Sequence, residues 1–419
     1  MTPRKDPLLI AGFLFFSLLC RKKTMENRFV FLLLLGGILT ACSPLDEPPS
    51  GGDFRRPRPD ITPTVPERPE PPVPKPDTFL YYSAVRFPDD YDWQRDSAYG
   101  SVPFELILYR DDAPVLTLAW DPEACFGPDP DRHHLLGGHL YTERMSGGRT
   151  RVGRDGTELF HFDGREFLVG LLPDGDDLYT LSRKTSGTGF SYRKNGVLLL
   201  ESDSGIPFGD LSDPSYGPTG ALYRDDGAVV FCYRQGELLY RVTDGQESAI
   251  ANPVPLNTVL DCKVGDGHNY LLRTEYLTQT LRDGRLWLHP AGNVVTGYFL
   301  PSRIRAFSGW MDTLADAAPR QLCRQEAILY YSPEGTYAVA ANTAGVVKWF
   351  GPGEEGRADF PAYFFSPKCG TVSGGQLVLA LTPTDRSLPP RLLRGARQTE
   401  LFMNGYISAV AVEISPPAS

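Results

Sequence analysis

Three histidines form the densest group of potential metal ligands in the sequence. His133, His134 and His139 lie within a seven-residue segment, and Asp129 and Asp131 precede them. Imidazole and carboxylate groups can together bind a transition metal. Adjacent histidines on a strand point to opposite faces, however, and no second pair of ligands accompanies them. The pattern therefore favours a solvated loop over a metal site.

A glycine-rich segment matches the dinucleotide-binding pattern G-x-G-x-x-G, namely Gly351-Pro352-Gly353-Glu354-Glu355-Gly356. That chemistry needs a helix whose N-terminus meets the pyrophosphate. Here the proline stiffens the turn and the two glutamates would repel phosphate, so we interpret the segment as a loop. The sequence contains no G-x-S-x-G nucleophile turn and no phosphate-binding loop. We therefore predict no catalytic, cofactor-binding or metal-binding residues.

Five cysteines follow position 42: Cys125, Cys232, Cys262, Cys323 and Cys369. Their odd number leaves at least one thiol unpaired in any disulfide arrangement. Their spacing shows none of the close pairs typical of zinc sites. Because Cys232 stands in the apolar run 229–233, we predict that it is buried as a small hydrophobic residue. We expect no essential disulfide.

The N-terminal region contains two apolar runs, Pro7–Cys20 and Phe29–Ala41. Each is shorter than the roughly 18 to 20 residues that cross a bilayer. The second run has the anatomy of a secretory signal, since Arg28 precedes it and small residues end it. We expect residues 1–24 to be an extension upstream of the true start, and residues 25–41 to be the signal peptide.

The end of this signal reads Leu39-Thr40-Ala41-Cys42 and resembles the lipobox of bacterial lipoproteins. The resemblance implies cleavage before Cys42 and acylation of its thiol and new amine. The alternative is an uncleaved apolar helix that ends in a cysteine by chance. Several acyl chains on one residue would give stable membrane anchoring. Ser43, Asp46 and Glu47 loosely resemble the export signal of surface lipoproteins in the Bacteroidota. We therefore predict a cell-envelope protein anchored in the outer membrane, facing either the periplasm or the surface.

The segment from the anchor to residue 77 is a predicted stalk. Residues 43–77 contain twelve prolines, each of which fixes φ and removes a hydrogen-bond donor, so helix and sheet are both excluded. The full chain carries a net charge of −9, and residues 1–41 hold six basic and two acidic side chains, so the mature chain carries −13. An acidic protein is repelled by phosphate backbones, which excludes nucleic acid as a partner.

Residues 78–419 show the alternating apolar pattern and glycine-containing turns of an all-β domain. Two series of turns recur at the spacing of a four-stranded propeller blade. The first turns contain Gly100, Gly138, Gly175, Gly227, Gly267, Gly335 and Gly375. The second turns are 112–113, 155–156, 195–196, 235–236, 283–284, 344–345 and 404–405. The pattern predicts a β-propeller of about seven blades, with six blades, eight blades or a β-sandwich as alternatives.

Two hairpin segments, Leu172–Gly175 and Tyr331–Tyr337, resemble the S-P-D-G hairpin of TolB-type propellers. The resemblance implies the architecture and no particular activity. Ile304, Phe307, Met311 and Leu314 fall near helical spacing, which predicts one short helical insertion. We further predict that the strands around 79–85 and 406–414 lie in the same blade and close the ring.

The combined pattern predicts a non-catalytic envelope lipoprotein whose domain binds a glycan, peptide or protein partner. Trp93 and Trp310 are the candidate surface platforms, whereas Trp287 and Trp349 are assigned to the core because they lie in apolar strands. The alternative function is a glycan-acting hydrolase or lyase with paired carboxylates at the propeller mouth. Two converging acids with a shifted pKa would favour the enzyme.

Overall fold

The computed structural model describes most of the chain from Thr78 onward, namely residues 78–94, 102–120, 132–211, 218–252, 255–256, 259–265, 267–274, 278–283, 285–288, 298–300, 303–308, 311–314, 320–321, 327–331, 338–341, 345–351, 354–395 and 397–414. Cys42 and the predicted signal peptide and stalk lie outside these residues. So do Cys125, Cys323 and Trp310. The described residues contain no α-helix, and thus no helix that could span a membrane.

The described strands form eight antiparallel sheets, which we number in chain order. Sheet 1 contains β1 (Thr78–Arg86), β2 (Glu105–Arg110), β3 (Ala113–Ala119) and the C-terminal β33 (Gly405–Ile414). Sheet 2 contains β4 (His133–Leu136), β5 (His139–Ser146), β6 (Arg149–Arg154) and β7 (Thr157–Asp163). Sheet 3 contains β8 (Glu166–Asp174), β9 (Asp177–Lys184), β10 (Phe190–Lys194) and β11 (Val197–Ser202). Sheet 4 contains β12 (Ile206–Pro207), β13 (Tyr223–Asp225), β14 (Ala228–Gln235), β15 (Leu238–Thr243) and β16 (Gln246–Ile250).

The second half of the chain repeats the same pattern. Sheet 5 contains β17 (Val259–Gly265), β18 (His268–Thr274), β19 (Thr278–Arg282) and β20 (Arg285–Leu288). Sheet 6 contains β21 (Tyr298–Leu300), β22 (Arg303–Ser308), β23 (Met311–Leu314) and β24 (Arg320–Gln321). Sheet 7 contains β25 (Ala327–Tyr331), β26 (Ala338–Ala341), β27 (Val346–Gly351) and β28 (Glu354–Asp359). Sheet 8 contains β29 (Tyr363–Ser373), β30 (Gln376–Pro383), β31 (Arg391–Arg394) and β32 (Arg397–Glu400).

The sheets are arranged with one edge strand inward, which is β33 in sheet 1 and the first strand in the other sheets. Strand β33 contacts both β29 and β4, and β25 contacts β29, whereas the last strands β3, β7 and β11 are largely exposed. Buried apolar side chains fill the space between the faces of neighbouring sheets, as in the cluster shared by sheets 1, 7 and 8. Four-stranded antiparallel sheets packed face to face around an axis constitute a β-propeller. The predicted fold class is confirmed.

The two ends of the domain meet in sheet 1, as predicted. Strand β33 pairs antiparallel with β1, with Leu80 opposite Val412 and Val85 opposite Tyr406. At the start of β33, a Cβ on Gly405 would collide with the carbonyl oxygen of Val85, so only glycine allows this approach. The pair 404–405 therefore begins the closing strand and is not the hairpin turn that the sequence suggested.

The predicted helix is wrong. Ile304 and Phe307 lie in β22, and Met311 and Leu314 lie in β23. Two short strands separated by two residues reproduce the three- and four-residue intervals of a helix, which explains the misleading spacing. These residues belong to sheet 6, which had no turn glycine in the predicted series. The seven predicted units and this additional sheet account for the eight sheets of the described residues.

The turn glycines mark the hairpins between first and second strands. Of the predicted first series, five are described, and each has positive φ at such a turn: Gly138, Gly175, Gly227, Gly267 and Gly375. The second series also falls between consecutive strands, but not always between the same two strands of a sheet. The pairs 155–156 and 195–196 join third to fourth strands, whereas in sheet 4 that turn contains Asp244. The pairs 235–236 and 344–345 join second to third strands instead.

An aspartate or asparagine with positive φ ties these outer hairpins back to the second strand. In five sheets its backbone N–H donates to a carbonyl near the start of the strand that lies next to the innermost one, which is β1 in sheet 1. Its side-chain oxygen accepts from the N–H of that same residue. The φ values of 46 to 52° suit residues that tolerate the left-handed region. The pairs are Asp111 with Leu80, Asp155 with Leu140, Asn195 with Leu178, Asp244 with Val229, and Asp283 with Asn269.

Deletion of residues 404–419 should destabilise the whole domain. Without β33 the inner edge of β1 is open, and the buried side chains of Ile407 and Val410 are lost from the core shared with sheets 7 and 8. We expect one cooperative thermal transition at a strongly lowered midpoint, measured by calorimetry, with soluble aggregates. Deletion of residues 415–419 alone keeps β33 and is the control. A separate transition at low temperature, with the main transition at its usual temperature, would contradict this closure role.

Candidate functional site

The histidine segment is a buried strand, so the predicted solvated loop is wrong. His133 and His134 lie in β4, the first strand of sheet 2, and both side chains are buried. The Nε2 atom of His133 lies 2.7 Å from the Oγ atom of Ser408 on β33. Burial lowers the pKa of His134 well below its usual range, and the charge of Lys368 adds to this effect, so His134 is neutral.

The third histidine faces a different environment. His139 is exposed at the start of β5, where its Nδ1 atom lies 2.6 Å from the Oδ2 atom of Asp155. In the described part of the chain, no three His, Cys, Asp or Glu side chains come together as a metal site. The described residues of the segment 351–356 belong to strands, since Gly351 ends β27 and pairs with Glu354, which begins β28. Glu355 and Gly356 continue β28, so the prediction of a loop is wrong for these residues.

Trp93 is not a surface platform. It is only 6% exposed and packs between Phe87, at 6.2 Å between ring centroids, and Tyr406, at 5.1 Å. The prediction was wrong because the polar residues around Trp93 lie in a connection that folds back over sheet 1. Trp349 is partly buried against the core of sheets 1, 7 and 8, which agrees with its predicted packing role.

One carboxylate has the shifted pKa that could support chemistry. Glu143 on β5 has a side chain that is 2% exposed between sheets 2 and 3. Its Oε1 atom accepts from the backbone N–H of Leu168 at 3.1 Å, and its Oε2 atom lies 3.3 Å from Nη1 of Arg132. Burial raises the pKa of Glu143 to about 7, although Arg132 and the Leu168 N–H lower it.

The surroundings of Glu143 form a mixed-charge cluster. The negative charge of Asp210 raises the pKa of Glu143 further. Asp210 itself lies 3.8 Å from the guanidinium of Arg183, and Arg132 stacks on the ring of Phe167 at 4.6 Å. Sequence reasoning missed this group because its members come from three strands and two connections. The Glu143 carboxyl itself is sealed from solvent by sheets 2 and 3.

A second site is an open cavity between the connections of sheets 1 and 8, which we call the sheet 1–8 cavity. Its volume is about 410 Å³, which suits a small ligand or a peptide side chain. The lining residues are Asp89, Arg386, Ser387, Leu388, Pro389, Phe402, Met403 and Asn404.

Side-chain hydrogen bonds fix the three connections that build this cavity. The Nδ2 atom of Asn404 donates to the carbonyl of Tyr91 at 2.8 Å, and Nε2 of Gln94 donates to the carbonyl of Pro383 at 2.7 Å. Nη1 of Arg386 donates to the carbonyl of Asp90 at 3.2 Å. These contacts join residues that are 313, 289 and 296 positions apart in the chain. The cavity is therefore a rigid part of the ring closure.

The cavity combines an exposed aromatic ring with acidic and hydrogen-bonding groups. Phe402 is 88% exposed, the highest value among the large hydrophobic side chains of the described residues. Asp89, Asp90 and Asp385 are exposed around it. The Oδ1 atom of Asn404 is buried and accepts no hydrogen bond from a described residue. A ligand with an apolar side chain would cover the exposed ring of Phe402.

Comparison with known proteins shows no family model that matches this chain and no curated protein that matches it. Among solved structures, BamB from Moraxella catarrhalis is 12% identical, with 73% of this chain and 95% of that chain covered and a TM-score of 0.41. Apo AztD from Citrobacter koseri is 8% identical, with 80% and 98% covered and a TM-score of 0.42.

A third similar structure is PorZ from Porphyromonas gingivalis, an essential bacterial surface component of the type-IX secretion system. It is 11% identical, with 71% of this chain and 43% of that chain covered and a TM-score of 0.36. Strand pairing, rather than these similarities, defines the fold described above.

Glu143→Gln should remove a pH dependence of stability. Between its ordinary value of 4.5 and about 7, folded Glu143 holds a proton that the unfolded chain has released. The free energy of unfolding therefore falls as pH rises through this window, by roughly 2 to 4 kcal/mol from this group. The variant should lack this fall when thermal midpoints are compared at pH 4.5 to 8. Glu237→Gln, at an exposed glutamate, is the control, and equal pH profiles for all three proteins would contradict the assignment.

Proposed function

We propose that this chain is a lipid-anchored envelope protein whose propeller domain binds an extended segment of a protein partner in the sheet 1–8 cavity. Residues 25–41 form the signal, Cys42 carries the lipid, residues 42–77 form the stalk and residues 78–419 form the binding domain. The observation that carries the proposal is the 88% exposed ring of Phe402 within a rigid cavity. Exposed aromatic residues at such positions are typical anchors of protein interfaces.

The chemistry of the cavity favours a basic and apolar segment. Phe402 offers an apolar surface with Leu388 and Met403 beside it, both half-buried. Asp89 and Arg386 are the charged lining residues, and Arg386 lies 4.0 Å from the carboxylate of Asp92. Asp90 and Asp385 are exposed next to them in the chain, so acids outnumber the arginine there, and the whole mature chain is acidic. A Lys or Arg side chain would therefore be attracted during approach and held at the rim.

A peptide fits these features better than a glycan does. Sugar rings are commonly bound by stacking on tryptophan or tyrosine together with many hydrogen-bonding groups. Trp93 is buried, and the aromatic lining residue of the cavity is Phe402, which offers no hydrogen bond. Of the three ligand classes that the sequence predicts, namely a glycan, a peptide or a protein partner, a protein segment is thus the one that we select.

A glycan-acting enzyme is the second candidate, and Glu143 is the observation that favours it. A carboxyl group with a pKa of about 7 could act as a general acid at neutral pH, and Asp210 is a neighbouring second acid. The 2% exposure of the Glu143 side chain argues against access of a sugar oxygen. We therefore assign Glu143 to the packing of sheets 2 and 3 and place binding at the sheet 1–8 cavity.

The binding proposal is tested by peptide selection against the full chain. A random peptide library should enrich sequences with an apolar or aromatic residue next to Lys or Arg. Binding of an enriched peptide should weaken about tenfold in Phe402→Ser and severalfold in Asp89→Asn, because the anchor and the rim charge are lost. Affinity should also fall at high salt.

Matched controls for these variants lie on other sheets. Leu198→Ser changes a leucine that is 48% exposed on β11, and Asp163→Asn changes an aspartate whose side chain is 88% exposed at the end of β7. Both controls should bind the peptide as the unmodified chain does. Enrichment of acidic peptides, or equal loss of affinity in variants and controls, would refute the proposed cavity.

Cys42→Ala should release the protein from membranes and abolish incorporation of a labelled fatty acid, because the acylated residue is gone. Cys20→Ala is the control, since Leu18 and Leu19 before it do not fit a lipobox, and it should leave both measurements unchanged. Fractionation and fatty-acid labelling in cells check this outcome. A labelled, membrane-bound Cys42→Ala protein would show that the anchor lies elsewhere.

A further inference from the structure

Two buried cysteines from neighbouring sheets meet at one junction. Cys232 lies on β14 in sheet 4, and Cys262 lies on β17 in sheet 5. The residues are 1% and 2% exposed and belong to the same apolar cluster between the two sheets. Strands β14 and β17 pack directly against each other. The chain thus brings together two thiols that no spacing rule had paired.

Both thiols are free in the folded chain, and they are close enough to interact electrostatically. The neighbouring Cys232 thiol raises the pKa of the Cys262 thiol well above its usual range, and burial adds to this shift. A tyrosine from sheet 4 spans the same junction. The Tyr223 hydroxyl accepts from the backbone N–H of Val264 at 2.8 Å and lies 3.8 Å from the Sγ atom of Cys232. Tyr223 therefore contacts both Cys232 and sheet 5, and these contacts fix the position of Cys232 relative to sheet 5.

We propose that Cys232 and Cys262 form a disulfide that ties sheet 4 to sheet 5 in the exported protein. A disulfide needs two side chains whose Cβ atoms can approach to about 4 Å. The two cysteines stand on strands that pack against each other and share one apolar cluster, so a local shift of these strands would bring the thiols together. The proposal rests on export as stated under the proposed function, because an oxidising compartment allows such bonds to persist. It replaces the expectation of no essential disulfide, which came from sequence spacing alone.

The oxidation has a defined balance. The two thiols lose two protons and two electrons and form one S–S bond. The electrons pass to the disulfide of a thiol–disulfide exchange protein, which becomes a dithiol, through a mixed disulfide with one of the two cysteines. Attack requires a thiolate, and both cysteines are shielded once the junction is packed. The bond therefore forms while sheets 4 and 5 are still assembling.

Cys369 provides the contrast within the same protein. It is fully buried on β29, and its thiol donates to the carbonyl oxygen of Ile407 at 3.3 Å. Burial raises the pKa of Cys369 to about 12. Among the described cysteines, it has the same burial as the junction pair and no thiol partner in its cluster, so it is the matched control.

The test uses the full chain in detergent, so that its outcome does not depend on where the cell places it. The protein is denatured, refolded in a glutathione redox buffer, alkylated and digested without reduction. Mass spectrometry should find the Cys232 and Cys262 peptides linked to each other. Reduction should lower the thermal midpoint by about 5 °C, as expected for loss of one native crosslink.

Variants separate the crosslink from simple packing. Cys232→Ala and Cys262→Ala should each abolish the effect of reductant on the thermal midpoint, whereas Cys369→Ala should retain it. Free, alkylated Cys232 and Cys262 after refolding, or a link from either one to another cysteine, would overturn the proposal. Because refolding is done in vitro, failure here would leave the lipid anchor and the peptide-binding cavity untouched, and the reverse also holds.

Discussion

The antiparallel pairing of β33 with β1 is the constraint on which the rest of the domain depends. It places Ser408 beside His133 of sheet 2 and Ile407 beside Cys369 of sheet 8, so one strand touches three sheets. It also positions residues 401–404 over the connections of sheets 1 and 8, where the cavity with Phe402 forms. The candidate binding site is thus a product of ring closure.

Two buried glutamates, Glu166 and Glu143, have pKa values shifted in opposite directions. Glu166 in sheet 3 accepts hydrogen bonds from Ser182 and Ser191 and pairs with Arg193, and together these contacts outweigh its burial and lower its pKa. Glu143 has one backbone donor and one partly exposed arginine, so burial dominates and its pKa rises. The number of donors aimed at each carboxylate, rather than its depth, decides its protonation.

Local patterns predicted much of this fold. The alternation of apolar residues and the Asp-Gly and Asn-Gly turns predicted an all-β propeller, because type I′ turns demand those residues. The apolar segments around 79–85 and 406–414 predicted the closing pair. Spacing was misleading in sheet 6, where residues on two strands fall at helical intervals. It was also misleading at His133, where a polar sequence forms a buried strand. Contacts between distant segments could not be predicted from the sequence. The Glu143 cluster, the cavity and the Cys232–Cys262 junction each combine residues that form no local sequence pattern.

The order in which strands are synthesised gives the closing pair a further consequence. The Ser83–Ser408 hydrogen bond joins residues 325 positions apart, so sheet 1 remains incomplete until the final strand leaves the ribosome. Until then β1 has no inner neighbour, and the core shared with sheets 7 and 8 cannot form. The closing core is therefore completed only after translation ends, even where earlier sheets have already paired their own strands. Closure of the ring is thereby a post-translational step.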